Sequence, residues 1–90
     1  MRLNVYAVKD VKVAFMQPFF MVNDEQAIRE FARAAMQEND PFAADKELWK
    51  LGEWEDQTGG IYGMNPEYMT NGKEARQYAE SVQRIRPAEG

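Results

Sequence analysis

The complete absence of cysteine is the feature that most constrains how this chain can fold. Its 90 residues are enough for one domain with one modest core. Without disulfides or thiolate metal sites, that core must supply the stability. Apolar residues make up 44% of the sequence and charged residues 29%, which is typical of a globular protein. We therefore expect one folded domain in a reducing compartment, the cytoplasm.

Histidine is also absent, which limits the chemistry open to the chain. Its side chain has the ordinary pKa best suited to proton transfer near neutral pH, and it is the commonest metal ligand. Scattered carboxylates are far more often solvated surface charge than acid–base catalysts. The sequence therefore predicts a binding protein rather than an enzyme, with no catalytic residue, no metal site and no cofactor.

Polar residues interrupt every apolar run near the N-terminus. This pattern predicts neither a secretion signal nor a membrane-spanning helix, so no membrane partner is expected. The net charge of the chain is −4, yet residues 1–22 are positive, because Arg2, Lys9 and Lys12 are opposed by Asp10 alone. The positive charge that an anionic partner would need is concentrated in this first segment.

Two strands are predicted in that segment. Apolar Leu3, Val5 and Ala7 occupy every second position from residue 3 to residue 7, as in a strand with one buried face. A β-branched and aromatic run then extends over residues 13–22. Residues 9–12 form the predicted turn between them. Because Pro18 cannot donate a ladder hydrogen bond, the second strand is expected at a sheet edge or bent there.

An amphipathic helix is predicted from Asn23 to about Glu38. Asn23 is a favoured N-cap, with Gln26 three residues later completing an approximate capping box. Pro41 ends the segment. Six apolar residues recur at helical spacing and form the stripe expected to cover a sheet: Ala27, Ile28, Phe31, Ala32, Ala35 and Met36.

A hairpin is predicted over residues 48–55 and 61–64, around a turn in which Gly59 takes a left-handed conformation. Gly52 marks a bulge or tight bend. Asn65-Pro66 and Asn71-Gly72 predict breaks in the secondary structure. A second amphipathic pattern over residues 73–85 predicts another helix, which either docks on the sheet or orders only on a partner.

These elements predict an α+β fold in which a small antiparallel sheet, in the order β-β-α-β-β, has one face covered by a helix. A C-terminal amphipathic helix follows. We expect residues 1–64 to form the α+β core domain, and residues 65–90 to form a polar C-terminal segment that is helical over 73–85.

Three blocks of sequence resemble a known family. They are the run Val5–Val13 followed by Pro18, the helical run Asn23–Phe31, and the run Leu48–Asp56 closed by Thr58-Gly59. In this order and spacing they resemble the small nonstructural protein of gokushoviruses, the single-stranded DNA bacteriophages of the Microviridae. The resemblance covers residues 3–59 and supplies no catalytic signature.

The resemblance implies a protein made in the cytoplasm of the infected bacterial host and not built into the virion. It implies a role in viral single-stranded DNA synthesis or genome packaging, through contact with DNA, the replication machinery or the procapsid.

Binding of single-stranded DNA on the open face of the sheet is the first of two mechanisms. Such sites combine aromatic rings, on which bases stack, with cations that follow the phosphates. The candidate DNA-binding residues lie on the predicted strands and their connecting turn: Arg2, Tyr6, Lys9, Lys12, Phe15 and Lys50. The same aromatic residues also suit a core or a subunit interface.

The alternative is a homo-oligomeric interaction module that regulates a phage or host replication protein, or a procapsid partner. A 90-residue domain has a thin core, and large apolar side chains on its strands would gain from a second subunit. A symmetric dimer is the expected state.

Overall fold

In the computed structural model, which describes residues 1–37 and 41–85, four strands form one antiparallel sheet in the order β2-β1-β3-β4. Two helices accompany the sheet, so the predicted α+β class is confirmed. The elements in chain order are β1 (Arg2–Asp10), β2 (Phe19–Met21), α1 (Asp24–Gln37), a short 3₁₀ helix (Ala43–Asp45), β3 (Lys46–Glu55), β4 (Ile61–Asn71) and α2 (Gly72–Ile85).

The predicted strand over residues 13–22 is much shorter than expected, because only β2 is regular strand. Residues 11–16 instead fold back on the end of β1. The amide of Val13 donates to the carbonyl of Asp10, and the amide of Met16 donates to the carbonyl of Val8. Because Pro18 has no amide hydrogen to donate to a neighbouring strand, the pairing with β1 resumes only after it.

The fourth strand is longer than predicted and continues past the expected break at Asn65-Pro66. At this point the register with β3 shifts, and Leu51 alone stands opposite residues 64–66. Proline is tolerated there because β4 is an edge strand and the pairing is already irregular. The predicted domain boundary at residue 64 therefore falls inside β4.

The first helix forms as its sequence predicts. The side chain of Asn23 accepts a hydrogen bond from the amide of Gln26 at 2.8 Å, and the side chain of Gln26 accepts one from the amide of Val22 at 3.0 Å. Of the predicted stripe, four residues are buried and the other two half-buried. Its predicted last residue, Glu38, lies outside the described residues.

The second helix begins one residue before the predicted start at 73. Asn71, which reads as a break in the sequence, is its cap, since the Asn71 side chain accepts from the amide of Glu74 at 2.9 Å. A Cβ atom on Gly72 would collide with the carbonyl of Ala43, so glycine permits the close approach of the 3₁₀ helix. The helix docks on α1, where Arg76 donates to the carbonyl of Ala35.

The core lies between the helices and one face of the sheet. Its buried residues are Tyr6, Ala27, Phe31, Ala32, Leu48 and Ala75. The helices leave the opposite sheet face uncovered, which we call the open face.

Candidate nucleic-acid interface

Strand pairing determines which side chains share the open face. Residues that stand directly opposite one another on antiparallel strands project to the same side. Ala7 pairs with Trp49, and Trp49 pairs with Tyr68. Lys9 pairs with Phe15 through an isolated bridge. One end of the open face therefore carries aromatic residues from a loop and two strands.

These aromatic rings pack edge to face. The ring centroids of Phe15 and Trp49 are 6.1 Å apart, and those of Trp49 and Tyr68 are 5.7 Å apart. The interplanar angles are 78° and 79°, the T-shaped arrangement that aromatic quadrupoles favour. Phe15 and Tyr68 remain exposed. We call this cluster, together with Lys9, the aromatic platform.

Lys9 brings a positive charge onto the platform. Its ammonium lies 5.3 Å from the centroid of Phe15 and 5.4 Å from that of Trp49, within the range of a cation–π contact. The indole nitrogen of Trp49 donates to the carboxylate of Glu47 at 3.0 Å, which fixes the ring. The platform therefore presents fixed aromatic surface beside a cation.

A second aromatic pair lies toward the other end of the open face. Phe20 on β2 and Trp54 on β3 have ring centroids 5.4 Å apart. They share this face because Val5 pairs with Phe20 and Leu3 pairs with Trp54. Phe20 is exposed and Trp54 half-buried.

The six predicted DNA-binding residues do not form one patch. Lys9 and Phe15 lie together on the platform, and Lys12 is exposed in the adjoining turn, where its amide donates to Asp10. Tyr6 and Lys50 lie on the sheet face that the helices cover. Arg2 lies on the same face, beyond the helices. Which of the six contact DNA stays a prediction.

Tyr6 lies on the covered face, so the expectation that it shares the open face is wrong. The side chain is completely buried, and its ring stacks on Phe19 with a centroid distance of 5.9 Å. Its hydroxyl donates to Asp24 at 2.6 Å and accepts from Asn4 at 3.0 Å. Burial, and then the hydrogen bond to Asp24, raise the pKa of Tyr6 well above its ordinary value.

Lys50 belongs to the same group of side chains. It stands opposite Tyr6 on β3, and its ammonium lies 3.5 Å from a carboxylate oxygen of Asp24. Only 19% of its side chain is exposed. Lys50 therefore balances Asp24 at the start of α1 instead of extending a basic patch on the open face.

Arg2 lies at the far end of the sheet, beyond the helices. Its guanidinium pairs with Glu53 at 2.8 Å and lies over the ring of Tyr62, 4.8 Å from the centroid. The hydrogen bond to Glu53 raises the pKa of Arg2. Its charge is thus neutralised locally, far from Lys9.

Sequence reasoning did not single out Trp49, Phe20 or Tyr68 as site residues. Successive side chains of a strand point to opposite faces of the sheet. The position of Trp49 next to Lys50 in a predicted strand could therefore have placed the indole on the other face from Lys50. Tyr68 could not be found in the same way, because the expected break at Pro66 removed it from the sheet.

Among residues 1–37 and 41–85, no group of three or more acidic side chains is arranged to hold a metal ion. No helix in these ranges has the length and apolar character needed to cross a bilayer.

The fold and the open face define a small α+β protein whose sheet is covered on one side only. Residues 3–75 match the model of a family described as phage ORF5 protein. The chain belongs to this phage protein family, which supports its assignment as a phage accessory protein. No curated protein and no solved structure matches the chain significantly.

Proposed function

We propose that this phage protein binds single-stranded DNA on the aromatic platform, as a nonstructural protein of the gokushovirus type. It acts in the cytoplasm of the infected bacterium, in viral single-stranded DNA synthesis or genome packaging. The observation that carries this proposal is an uncovered sheet face on which exposed aromatic rings lie beside Lys9. Membership of the phage family supports the setting.

Phe15 and Tyr68 supply the surface on which bases stack. Their exposed edges flank Trp49, which is held by Glu47 and loses little freedom on binding. Stacking of one base on an aromatic ring contributes about 1–3 kcal/mol and works with every base. Binding on this platform therefore has little sequence preference.

Lys9 and Lys12 supply the charge for the phosphates. Both lie at the end of the platform, whereas Lys50 is paired with Asp24 on the covered face. Because the net charge is −4, the protein repels DNA at long range. Affinity then depends on short-range stacking, and duplex DNA, whose bases are already stacked, binds much more weakly.

Fluorescence anisotropy with labelled single-stranded and duplex oligonucleotides tests the proposal. Two phosphate contacts predict a log–log salt slope of about 1.4, at roughly 0.7 per contact for single strands. Tyr68→Ala lowers the affinity for single strands by about 5- to 150-fold, which corresponds to the stacking energy of one base. Equal affinity for single strands and duplex would contradict the stacking mechanism.

Charge reversal provides the matched control. Lys9→Glu should abolish binding, whereas Lys73→Glu makes the same charge change at an exposed position on α2, a helix on the covered side of the sheet, and should leave binding nearly unchanged. If both variants lose binding equally, net charge rather than the platform governs the interaction. If the parent protein does not bind single strands at low salt, the alternative of a protein-interaction module for a replication or procapsid partner replaces this proposal.

A further inference from the structure

Strand β4 leaves one edge of the sheet open over a long stretch. It spans Ile61–Asn71 and is the last strand in the order β2-β1-β3-β4. Residues 61–68 are all exposed. A strand in this position presents unpaired backbone amides and carbonyls, which another strand can satisfy.

The two edges of the sheet differ in how they are protected. At the opposite edge, β2 has three residues and follows Pro18, which leaves little backbone to pair. Residues 60–66 on the β4 side carry no charged side chain, and Ile61 is 72% exposed. Charged side chains are one usual protection of an edge strand, and this stretch lacks them. Pro66 and the register shift with β3 limit regular pairing at this edge to the residues nearest Gly63.

We propose that β4 pairs antiparallel with β4 of a second copy of this chain, around a two-fold axis near Gly63. Antiparallel pairing of identical strands is self-complementary, which is the requirement of a symmetric dimer. With the axis at Gly63, Tyr62 stands opposite Met64 of the other copy. Glu67, the sole charged residue of 61–68, then stands opposite the Gly59-Gly60 turn, so no like charges meet.

The space around Gly63 makes this axis testable by substitution. A Cβ atom built on Gly63 would meet no atom within 4 Å, in contrast to Gly52, its partner on β3, where a Cβ would collide with the carbonyl of Tyr62. A side chain at position 63 therefore fits in the single chain without a clash. Pairing at this edge joins two sheets side by side and leaves both open faces uncovered, so the inference does not depend on DNA binding.

Position 63 allows a sharp test, because each substitution there places two identical side chains about 5 Å apart across the axis. Light scattering on the parent protein should show a mass that rises with concentration toward twice the 10.4 kDa of one chain. Gly63→Glu and Gly63→Lys should each remain at the mass of one chain. A one-to-one mixture of the two variants should recover the doubled mass, because opposite charges then meet.

Val13→Glu is the matched control, since Val13 is 82% exposed and lies in the turn after β1, a strand that does not pair with β4. It should form the dimer as the parent does, and circular dichroism should show the parent's fold in all variants. A parent protein that stays at the mass of one chain at all concentrations overturns the proposal. So does a Gly63→Glu variant that dimerises like the parent. Because oligonucleotide binding is measured separately, either result leaves the DNA-binding proposal standing.

Discussion

The hydroxyl of Tyr6 should stabilise the fold measurably, and Tyr6→Phe isolates its contribution. This substitution keeps the buried ring and removes only the hydroxyl, which donates to Asp24 and accepts from the side-chain amide of Asn4. A hydrogen bond to a charged group contributes about 1.5–3 kcal/mol. Because 51% of the Asp24 side chain is exposed, water replaces the lost donor in part. We therefore expect Tyr6→Phe to lower the free energy of unfolding by about 1.5 kcal/mol at pH 7.

Alkaline pH should erase this difference. The pKa of Tyr6 is raised in the folded protein, whereas in the unfolded chain it is about 10. The stabilisation is fully present below pH 10 and is lost as the pH rises toward the folded pKa, because only the unfolded hydroxyl ionises in this window. The advantage of the parent over Tyr6→Phe should shrink by about 1.4 kcal/mol for each pH unit above 10.

Urea unfolding of both proteins from pH 7 to pH 11, followed by circular dichroism, measures these quantities. Tyr62→Phe is the control, since Tyr62 is exposed and keeps its ring beneath Arg2. It should unfold within about 0.5 kcal/mol of the parent. The reasoning is refuted if Tyr6→Phe is as stable as the parent at pH 7, or if the difference between them does not change above pH 10.

Two further substitutions test the packing. Phe31→Ala removes a buried ring from the centre of the α1 stripe and should cost about 3–5 kcal/mol, close to the whole stability of a small domain; thermal unfolding like that of the parent would show that the helix faces another way. Gly72→Ala should destabilise by about 1–3 kcal/mol, because its Cβ meets the carbonyl of Ala43, whereas Gly63→Ala should be tolerated. Equal unfolding midpoints in urea for the two alanine variants would contradict the close approach at Gly72.

Local signals were enough to predict the helices and the central part of the sheet. Asn23 and Gln26 form the cap that their spacing indicates, and the apolar stripe of α1 faces the core. These features depend on neighbours within one or two turns, which the sequence displays directly. The extent of β4 was not predictable in the same way, because Pro66 is accepted only at a sheet edge with a register shift.

The candidate site was predictable only in part, because periodicity groups residues by face without saying which face the helices cover. Arg2 and Tyr6 do share a face of the sheet, as their spacing indicates. It is the face on which the helices pack, and they bury Tyr6 there. Lys9 has the opposite parity and lies on the open face with Phe15. The choice between the two faces is made by packing against α1, a long-range interaction that alternation along one strand does not encode.

The central position of β1 has a consequence for synthesis of the protein. β1 pairs on one side with β2, which begins at Phe19 after the eight residues 11–18, and on the other side with β3, which begins only at Lys46. At about 5–20 residues per second, the ribosome needs several seconds to produce that second partner. During this interval the nascent chain carries the edge of β1 unpaired, a surface prone to aggregation when many copies are made at once.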